Sequence, residues 1–418
     1  MLTLVTLIAV ALGLPFAVLG FECWLALLPL RRQSVNEDTV ATGIRIAVVI
    51  PAHDEQERIA TTIQRVKQQV DDDAAVIVVA DNCTDATAER AAAAGATVWL
   101  RDDVTLRGKG FALSYAFDRL NGFDPDVVVC LDADCAPGPN CIRTIAVLAQ
   151  QRQRPVQAAY TMYASEVAGG LTGISALAVF VKNYLRPRGL QRLGLPCLLT
   201  GSGMAFPKSA LSAMRRPDGN IVEDMRMSTD LAVAGFAPLP CMEVSLDSPL
   251  PDRQSGFLSQ RTRWEHGHMS MILNHAPRLL AACIRSASPR LLVLLLELIV
   301  PPLSFLLLSA VAIVALLTLA SSFMNEWSPL VYFLAETTIG VSGLLSVWFR
   351  FGRRILPPAI ALRIPQYVAV KAPMYLRFVN RPQRVWIRTE RNPILAEVNL
   401  ALPTSQPVAP IVSGPHAD

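Results

Sequence analysis

Long apolar blocks at the two ends of the chain decide most of what it can fold into. Residues 2–21 contain no charged residue, and further apolar blocks run over 291–320 and 330–349. About 20 such residues cross the hydrocarbon core of a bilayer. The mean hydropathy of +0.37 is unusual for a soluble protein, and these blocks account for it. For the first block a cleaved signal peptide is the alternative to an anchor. No Lys or Arg precedes it, it exceeds the usual apolar core, and no small-residue cleavage site follows, so residues 1–30 read as an anchor.

Arg31 and Arg32 come next, and basic residues beside a span stay in the cytoplasm. Pro301 and Pro302 interrupt the second block, which divides into an interfacial or broken segment over 291–300 and a span over 303–320. Residues 321–327 make a short outer loop, and the third block returns the chain to Arg350, Arg353 and Arg354. The expectation is a multi-pass protein of the cell (inner) membrane with its middle and its C-terminus in the cytoplasm. It divides into a linker over 31–43, a catalytic-sized domain over 44–290, membrane segments over 291–349, a basic juxtamembrane tail over 350–400 and a Pro-rich, disordered end over 401–418.

A net charge of +4 is too small to argue for nucleic acid, but its distribution is informative. Between Arg350 and Arg391 stand ten basic residues and the single acid Glu390, a stretch suited to anionic membrane lipids or a lipid diphosphate. A solvated basic face is the plainer alternative. The eight cysteines form no CxxC pair. In a cytoplasmic setting they read as small buried hydrophobes, with neither disulfides nor a zinc site.

Between the apolar ends, short β-branched runs alternate with helical patterns, which predicts an α/β fold around a mostly parallel sheet. Strands are expected over 44–50, 75–79, 97–100 and 127–131, and Ile59, Ile63, Val66 and Val70 share one helical face after the first. Ligands in such sheets bind beyond the carboxyl ends of the strands. Those ends are acidic here: Pro51 to Glu55 after the first strand, Asp81 to Asp85 after the second, and Asp132-Ala133-Asp134 after the fourth. Acidic clusters on one edge repel each other unless a cation sits between them. Asp132 and Asp134, two apart at a strand end, leave on one face and can share Mg²⁺ or Mn²⁺; a turn or helix cap is the alternative.

The order of these motifs resembles the family 2 glycosyltransferases, whose nucleotide-binding domain has the GT-A fold. The resemblance covers roughly 44–264 and the flanking membrane segments. It implies nucleotide-sugar binding by Pro51, Glu55, Asp81, Lys109 and Asp132, and a metal and diphosphate motif at Asp132 and Asp134. Lys109 lies in a Gly-Lys-Gly stretch that would close over a donor phosphate, or simply form a flexible turn opening a helix. Gly201, Ser202 and Gly203 resemble a small-residue strand lining the acceptor side, although a β-bulge uses glycine equally well. In Glu223-Asp224 the resemblance makes Asp224 the general base, while residues alone allow a helix N-terminus.

Gln260-Arg261-Thr262-Arg263-Trp264 is the most specific motif, similar to one in synthases of cellulose, chitin and hyaluronan type and in lipid glucosyltransferases. Trp264 offers a flat platform for a sugar ring, and Arg261 and Arg263 can grip a diphosphate. A basic amphipathic helix on headgroups would also mix Arg with Trp. His266 and His268 lack a third ligand and read as polar surface. The sequence departs from the pattern at Ala80, where many relatives carry an acid, and at Asp54, where Asn is commoner. Residues 171–185 are apolar and turn basic through Lys182, Arg186, Arg188 and Arg192, as an amphipathic helix on the inner leaflet or a core helix.

The resemblance therefore implies an inverting, metal-dependent transferase acting from a nucleotide-sugar donor, expected to be a UDP-sugar, on a lipid-linked or polymeric glycan in envelope or exopolysaccharide biosynthesis, and it allows an export partner. A silent membrane protein that binds a nucleotide sugar or scaffolds an export complex is the alternative class. It has no need to keep Asp81, Asp132, Asp134, Asp224 and Trp264 together.

Overall fold

The computed structural model describes residues 2–33, 43–163, 171–250, 254–380 and 383. Most of the expected linker, the basic tail beyond Asn380 apart from Gln383, and the end over 401–418 lie outside the described residues.

After helix α1 (Leu2–Leu27) the chain enters β1 (Ile46–Ala52), α2 (Ile59–Lys67), β2 (Ala75–Asp81), α3 (Thr87–Ala93), β3 (Thr97–Arg101), α4 (Lys109–Arg119) and β4 (Val127–Cys130). These are the four strands the sequence predicts, but β1 and β2 run farther, so Pro51 lies within β1 and Asp81 ends β2 instead of following it. Proline is tolerated there because β4 pairs with β1 only as far as Val49. Next come β5 (Ala136–Pro137), α5 (Cys141–Arg152), β6 (Val156–Tyr163), α6 (Leu171–Phe180), a π-helical turn over Val181–Leu185, α7 (Arg186–Arg192), β7 (Met204–Pro207), α8 (Lys208–Ala213), α9 (Glu223–Val233) and β8 (Leu239–Pro249).

The eight strands form one sheet in the order β3-β2-β1-β4-β7-β6-β8-β5. Strands β3, β2, β1 and β4 are parallel, and β7 reverses against both β4 and β6. Alternation along β1 sends Ile46, Val48 and Ile50 to one face and Ala47 and Val49 to the other. The first face is covered by α2, α3 and α5, and the second by α4, α8 and α9. Ile59, Ile63 and Val66 are fully buried as their spacing predicts. From β1 the chain winds outward to β2 and β3, then returns on the other side to β4. That reversal is a topological switch point, where the loops after β1 and β4 part and leave a crevice.

Helix α10 (Gln254–Ser286) leads to α11 (Pro289–Leu298), α12 (Leu303–Met324), α13 (Ser328–Val347), a π-helical turn over Trp348–Gly352, α14 (Pro358–Ala361) and α15 (Ile364–Asn380). The break at Pro301 and Pro302 falls between α11 and α12, as expected. Among the described residues, Leu2–Leu27, Leu303–Met324 and Ser328–Gly352 are long and apolar enough to cross a membrane. Helices α1 and α13 pack through small residues that let the backbones approach, since a Cβ on Gly343 would lie 2.7 Å from the Gly20 Cα. On the outside of α1, Leu4 and Leu7 are 62% and 63% exposed, an apolar face of the kind lipid covers.

Glu22, near the end of α1, makes a buried ion pair with Arg186 Nε at 2.5 Å, and Arg186 Nη2 donates to the Glu297 carbonyl at 3.0 Å. The first helix is thereby fastened to α7 and α11. This settles the 171–185 stretch as a core element: Ile174, Ser175, Val179, Val181 and Leu185 are buried, so it does not present a free face to a leaflet. All eight cysteines are unpaired and six are buried, as expected of small hydrophobes.

Candidate active site

The carboxyl ends of β1 and β4 open into a cleft of about 590 Å³. Of the residues singled out from the sequence, it brings together Pro51, Glu55, Asp81, Lys109, Asp132, Asp134, Gly201, Glu223, Asp224, Gln260, Arg261, Arg263 and Trp264. Ser202 and Gly203 are packed beneath it.

At one end lies Asp81, buried as the last residue of β2. Its register partner on β3 is Arg101, whose Nη1 stands 2.5 Å from Asp81 Oδ1. Burial pushes the Asp81 carboxyl above its ordinary value, and Arg101 offsets part of that. Asn82 Nδ2 donates to the same oxygen at 2.9 Å. Sequence reading missed Arg101; the signal was a basic residue closing the strand next to Asp81. Nearby, Asp54 Oδ1 accepts the Thr84 N–H at 2.6 Å, and Asp85 accepts the N–H groups of Gln56 and Thr87 at 3.2 and 3.0 Å. These carboxylates tie the loops after β1 and β2 together.

Beyond β4, the Asp132 N–H donates to Ser202 Oγ at 2.9 Å, which fixes the turn. Asp132, Asp134 and Cys135 each place a ligand atom within 4.8 Å of the others. Burial, and then the two aspartates, push the Cys135 thiol well above its ordinary value, and its Sγ lies 3.1 Å from Ser202 Oγ. It stays a neutral thiol. The usable donor set is two carboxylates, which fits a hard divalent cation.

A cation of the chain's own already stands among the acids. Lys109 Nζ, at the start of α4, is 2.5 Å from Asp132 Oδ1, donates to the Gly201 carbonyl at 2.6 Å and lies 3.7 Å from Glu223 Oε1. Burial opposes its charge, but Asp132, Glu223 and Asp224 outweigh that and hold the ammonium protonated. Gly201 is needed here. At φ +95° it turns its carbonyl onto Lys109, and a Cβ would sit 3.4 Å from Asp224 Oδ2.

The expected small-residue strand begins only at Met204, where β7 starts; residues 201–203 form a bend. Glu223 and Asp224 occupy the first turn of α9, where the helix dipole favours acids, but the N-cap is Val222. Asp224 Oδ1 accepts the Met225 N–H at 2.8 Å. Burial, with Asp224 and Asp132 beside it, pushes the Glu223 carboxyl up to about 7, although Lys109 pulls the other way.

The opposite wall is α10. Gln260 Oε1 and Arg261 Nε are buried and have no hydrogen-bond partner among the described residues. Such atoms cost on the order of 1–3 kcal/mol each when left unsatisfied, so their place in a cleft wall points to a ligand. Arg261 Cζ lies 5.9 Å from the Trp264 ring centre. The reading of His266 and His268 as polar surface is corrected: both are buried. His268 Nε2 is 3.0 Å from the Leu298 carbonyl and His266 Nε2 is 3.0 Å from the Met374 carbonyl, so each fastens α10 to a neighbouring helix. Burial pushes His268 down to about 3. Sequence reading also missed that the cleft continues past Val179 and Lys182 to Pro301, Pro302, Leu303 and Ser304, where α12 begins.

A mostly parallel sheet with a switch-point cleft and an acid pair after the fourth strand defines a GT-A fold. Residues 44–267 match the family described as glycosyltransferase like family 2, more than half of the chain, and the chain belongs to that family. It is 40% identical over 104 residues to the low-salt glycan biosynthesis hexosyltransferase Agl6 of Haloferax volcanii, covering 24% of this chain and 23% of that one. It is 38% identical over 92 residues to protein RfbJ of Shigella flexneri, covering 22% of this chain and 66% of RfbJ. Among solved structures, a mannosyltransferase from Pyrobaculum calidifontis in complex with GDP-Man and Mn²⁺ superposes with a TM-score of 0.51 at 17% identity, covering 90% of this chain and 96% of that one. That likeness is one of fold.

Proposed function

We propose that this chain is an inverting glycosyltransferase that moves a sugar from a nucleoside-diphosphate donor, UDP-linked in our reading, to an acceptor hydroxyl on a lipid-linked or polymeric glycan at the cytoplasmic face of a membrane. The supporting observation is the convergence of Asp132, Asp134, Lys109, Glu223, Asp224, Arg261 and Trp264 on a single cleft that reaches the start of a candidate span.

In this reading Asp81, oriented by Arg101, receives the nucleotide base. Asp132 and Asp134 would hold Mg²⁺ or Mn²⁺, which supplies Lewis-acid stabilisation of the departing diphosphate. Lys109 adds a fixed positive charge beside that group, and Arg261 and Arg263 hold it through charge-assisted hydrogen bonds. Trp264 gives the sugar a flat apolar surface. Asp224 takes the proton of the acceptor hydroxyl as its oxygen attacks from the face opposite the diphosphate, which inverts the anomeric carbon. Incubating membranes that carry the protein with radiolabelled nucleotide sugars, GDP-mannose included, and then separating lipid-soluble from polymeric product tests the whole reading. Transfer from no donor overturns it.

The basic residues flanking the candidate spans set a topology. A reporter fused after Arg354 is expected to read cytoplasm and one inserted at Asn325 the far side. The reverse pattern puts the active site outside.

Glu223 gives a pH dependence. As pH falls through about 7 its carboxylate gains a proton, and one negative charge disappears beside Lys109. Nucleoside-diphosphate affinity is expected to strengthen over that interval in the wild type relative to Glu223→Gln, which removes this titration. Parallel pH profiles of the dissociation constant for the two proteins contradict the assignment.

A further inference from the structure

Helix α15, beyond the last candidate span, packs against Glu265 of α10 in the wall of the cleft. On α15, Tyr367, Lys371 and Tyr375 are spaced four apart and face inward, while Val370 and Leu376 are 67% and 68% exposed. A buried lysine is retained only where it is paired. Lys371 Nζ contacts Glu265 Oε1, and Tyr375 Oη donates to Glu265 Oε2. Glu265 belongs to α10, one residue after Trp264, and its Oε1 is also 4.0 Å from Arg261 Nε. One buried carboxylate therefore answers to two cations, one from α15 and one from the cleft wall.

Further contacts from α15 and from Gln383 beyond it surround the motif. Tyr367 Oη is 2.8 Å from Ser175 Oγ, and Arg261 Nη2 donates to the Ser175 carbonyl at 3.4 Å. Gln383 N–H donates to His266 Nδ1 at 3.3 Å, which leaves the ring proton on Nε2 for the Met374 carbonyl at 3.0 Å. Phe378 meets the His266 ring edge-on at 5.3 Å.

We infer that Glu265, clamped by Lys371 and Tyr375, is a positioning residue that fixes Arg261 and Trp264 in the cleft, so that the helix beyond the last span is part of the binding machinery. This rests on the reading in which Arg261 grips the donor diphosphate. Buried ion pairs contribute little net stability compared with apolar packing of similar shape, so plain helix docking does not call for one here. Its consequence is electrostatic division of labour. With Lys371 neutralising Glu265, Arg261 Nε has no hydrogen bond to that carboxylate and its guanidinium remains available to a ligand; without Lys371, Arg261 becomes the nearest counter-ion and is drawn away.

The test titrates UDP and GDP with Mn²⁺ into the full chain in lipid nanodiscs by calorimetry. Lys371→Met is expected to weaken the better-bound diphosphate about tenfold, and Lys371→Arg to recover most of it. In an Arg261→Ala background, Lys371→Met should add almost nothing, because the residue it positions is gone. Since Lys371→Met leaves a buried carboxylate exposed to partial unpairing, Glu265→Gln combined with Lys371→Met provides a neutral pair with no carboxylate to draw Arg261 away, and both its melting temperature and its diphosphate affinity are expected to return to near wild type. Additive losses in the Arg261→Ala background, or a neutral pair that melts like the wild type yet binds as weakly as Lys371→Met, overturn the positioning role and leave the functional reading standing. A wild-type chain that binds neither diphosphate overturns both.

Discussion

Chelation of divalent metal with EDTA is expected to abolish sugar transfer, and Mn²⁺ or Mg²⁺ to restore it. The argument is the charge balance of the cleft. Asp132, Asp134, Glu223 and Asp224 line the same space, and Lys109 is the cation already placed among them. A donor diphosphate brings further negative charge to this edge; Arg261 and Arg263 on the α10 wall answer the diphosphate in our reading, but Lys109 is already engaged by Asp132, so the Asp132 and Asp134 pair still calls for a cation between it and the diphosphate. Asp132 and Asp134 supply the hard oxygen ligands a divalent ion needs, whereas the neutral thiol of Cys135 does not compete. Asp134→Ala is expected to lower turnover by ~10² or more and to raise the metal concentration needed for half-maximal rate. Replacing Asp54, whose carboxylate accepts the Thr84 N–H, should leave that metal requirement unchanged. Transfer that persists undiminished in EDTA sinks the metal assignment.

Much of this arrangement was legible in the chain before any coordinates. Strands buried on both faces read as unbroken apolar runs, so β1, β2 and β4 stood out. The acids that follow them stood out as well, because a polar cluster after such a run has few other reasons to exist. What stayed hidden depends on neighbours far apart in sequence. Arg101 meets Asp81 only because β2 and β3 pair in one register, and no local pattern states a register. His266 and His268 read as polar surface because no third metal ligand accompanied them; α11 and α15 cover them. Residues 171–185 carry a basic end that suggests headgroups, yet the partner of Arg186 is Glu22, more than 160 residues away along the chain. The contacts of Lys109 with Asp132 and the Gly201 carbonyl were hidden too, because they depend on the bend at Gly201 that brings that carbonyl within reach.

Asp224→Asn is expected to leave nucleoside-diphosphate affinity nearly unchanged while turnover falls by ~10² or more. Asparagine keeps the shape and can still accept the Met225 N–H, as Asp224 Oδ1 does at 2.8 Å, so the first turn of α9 is preserved. What it loses is the ability to take a proton at the other oxygen, the one near Gly201 and Lys109. Asp81→Ala provides the contrast. It removes a group at the far end of the cleft and leaves Arg101 paired with Asp103 alone, so weaker donor binding is the main effect expected. Titrating the diphosphate alongside the rate assay separates these outcomes from poor folding, which would lower both together. Glu223 is the competing base: it is the neighbouring acid, and its carboxyl is pushed up to about 7, a value suited to proton transfer near neutral pH. Near-normal turnover in Asp224→Asn with a collapse in Glu223→Gln would move the role one residue back along α9. Asp224 would then be a first-turn acid that the helix dipole favours.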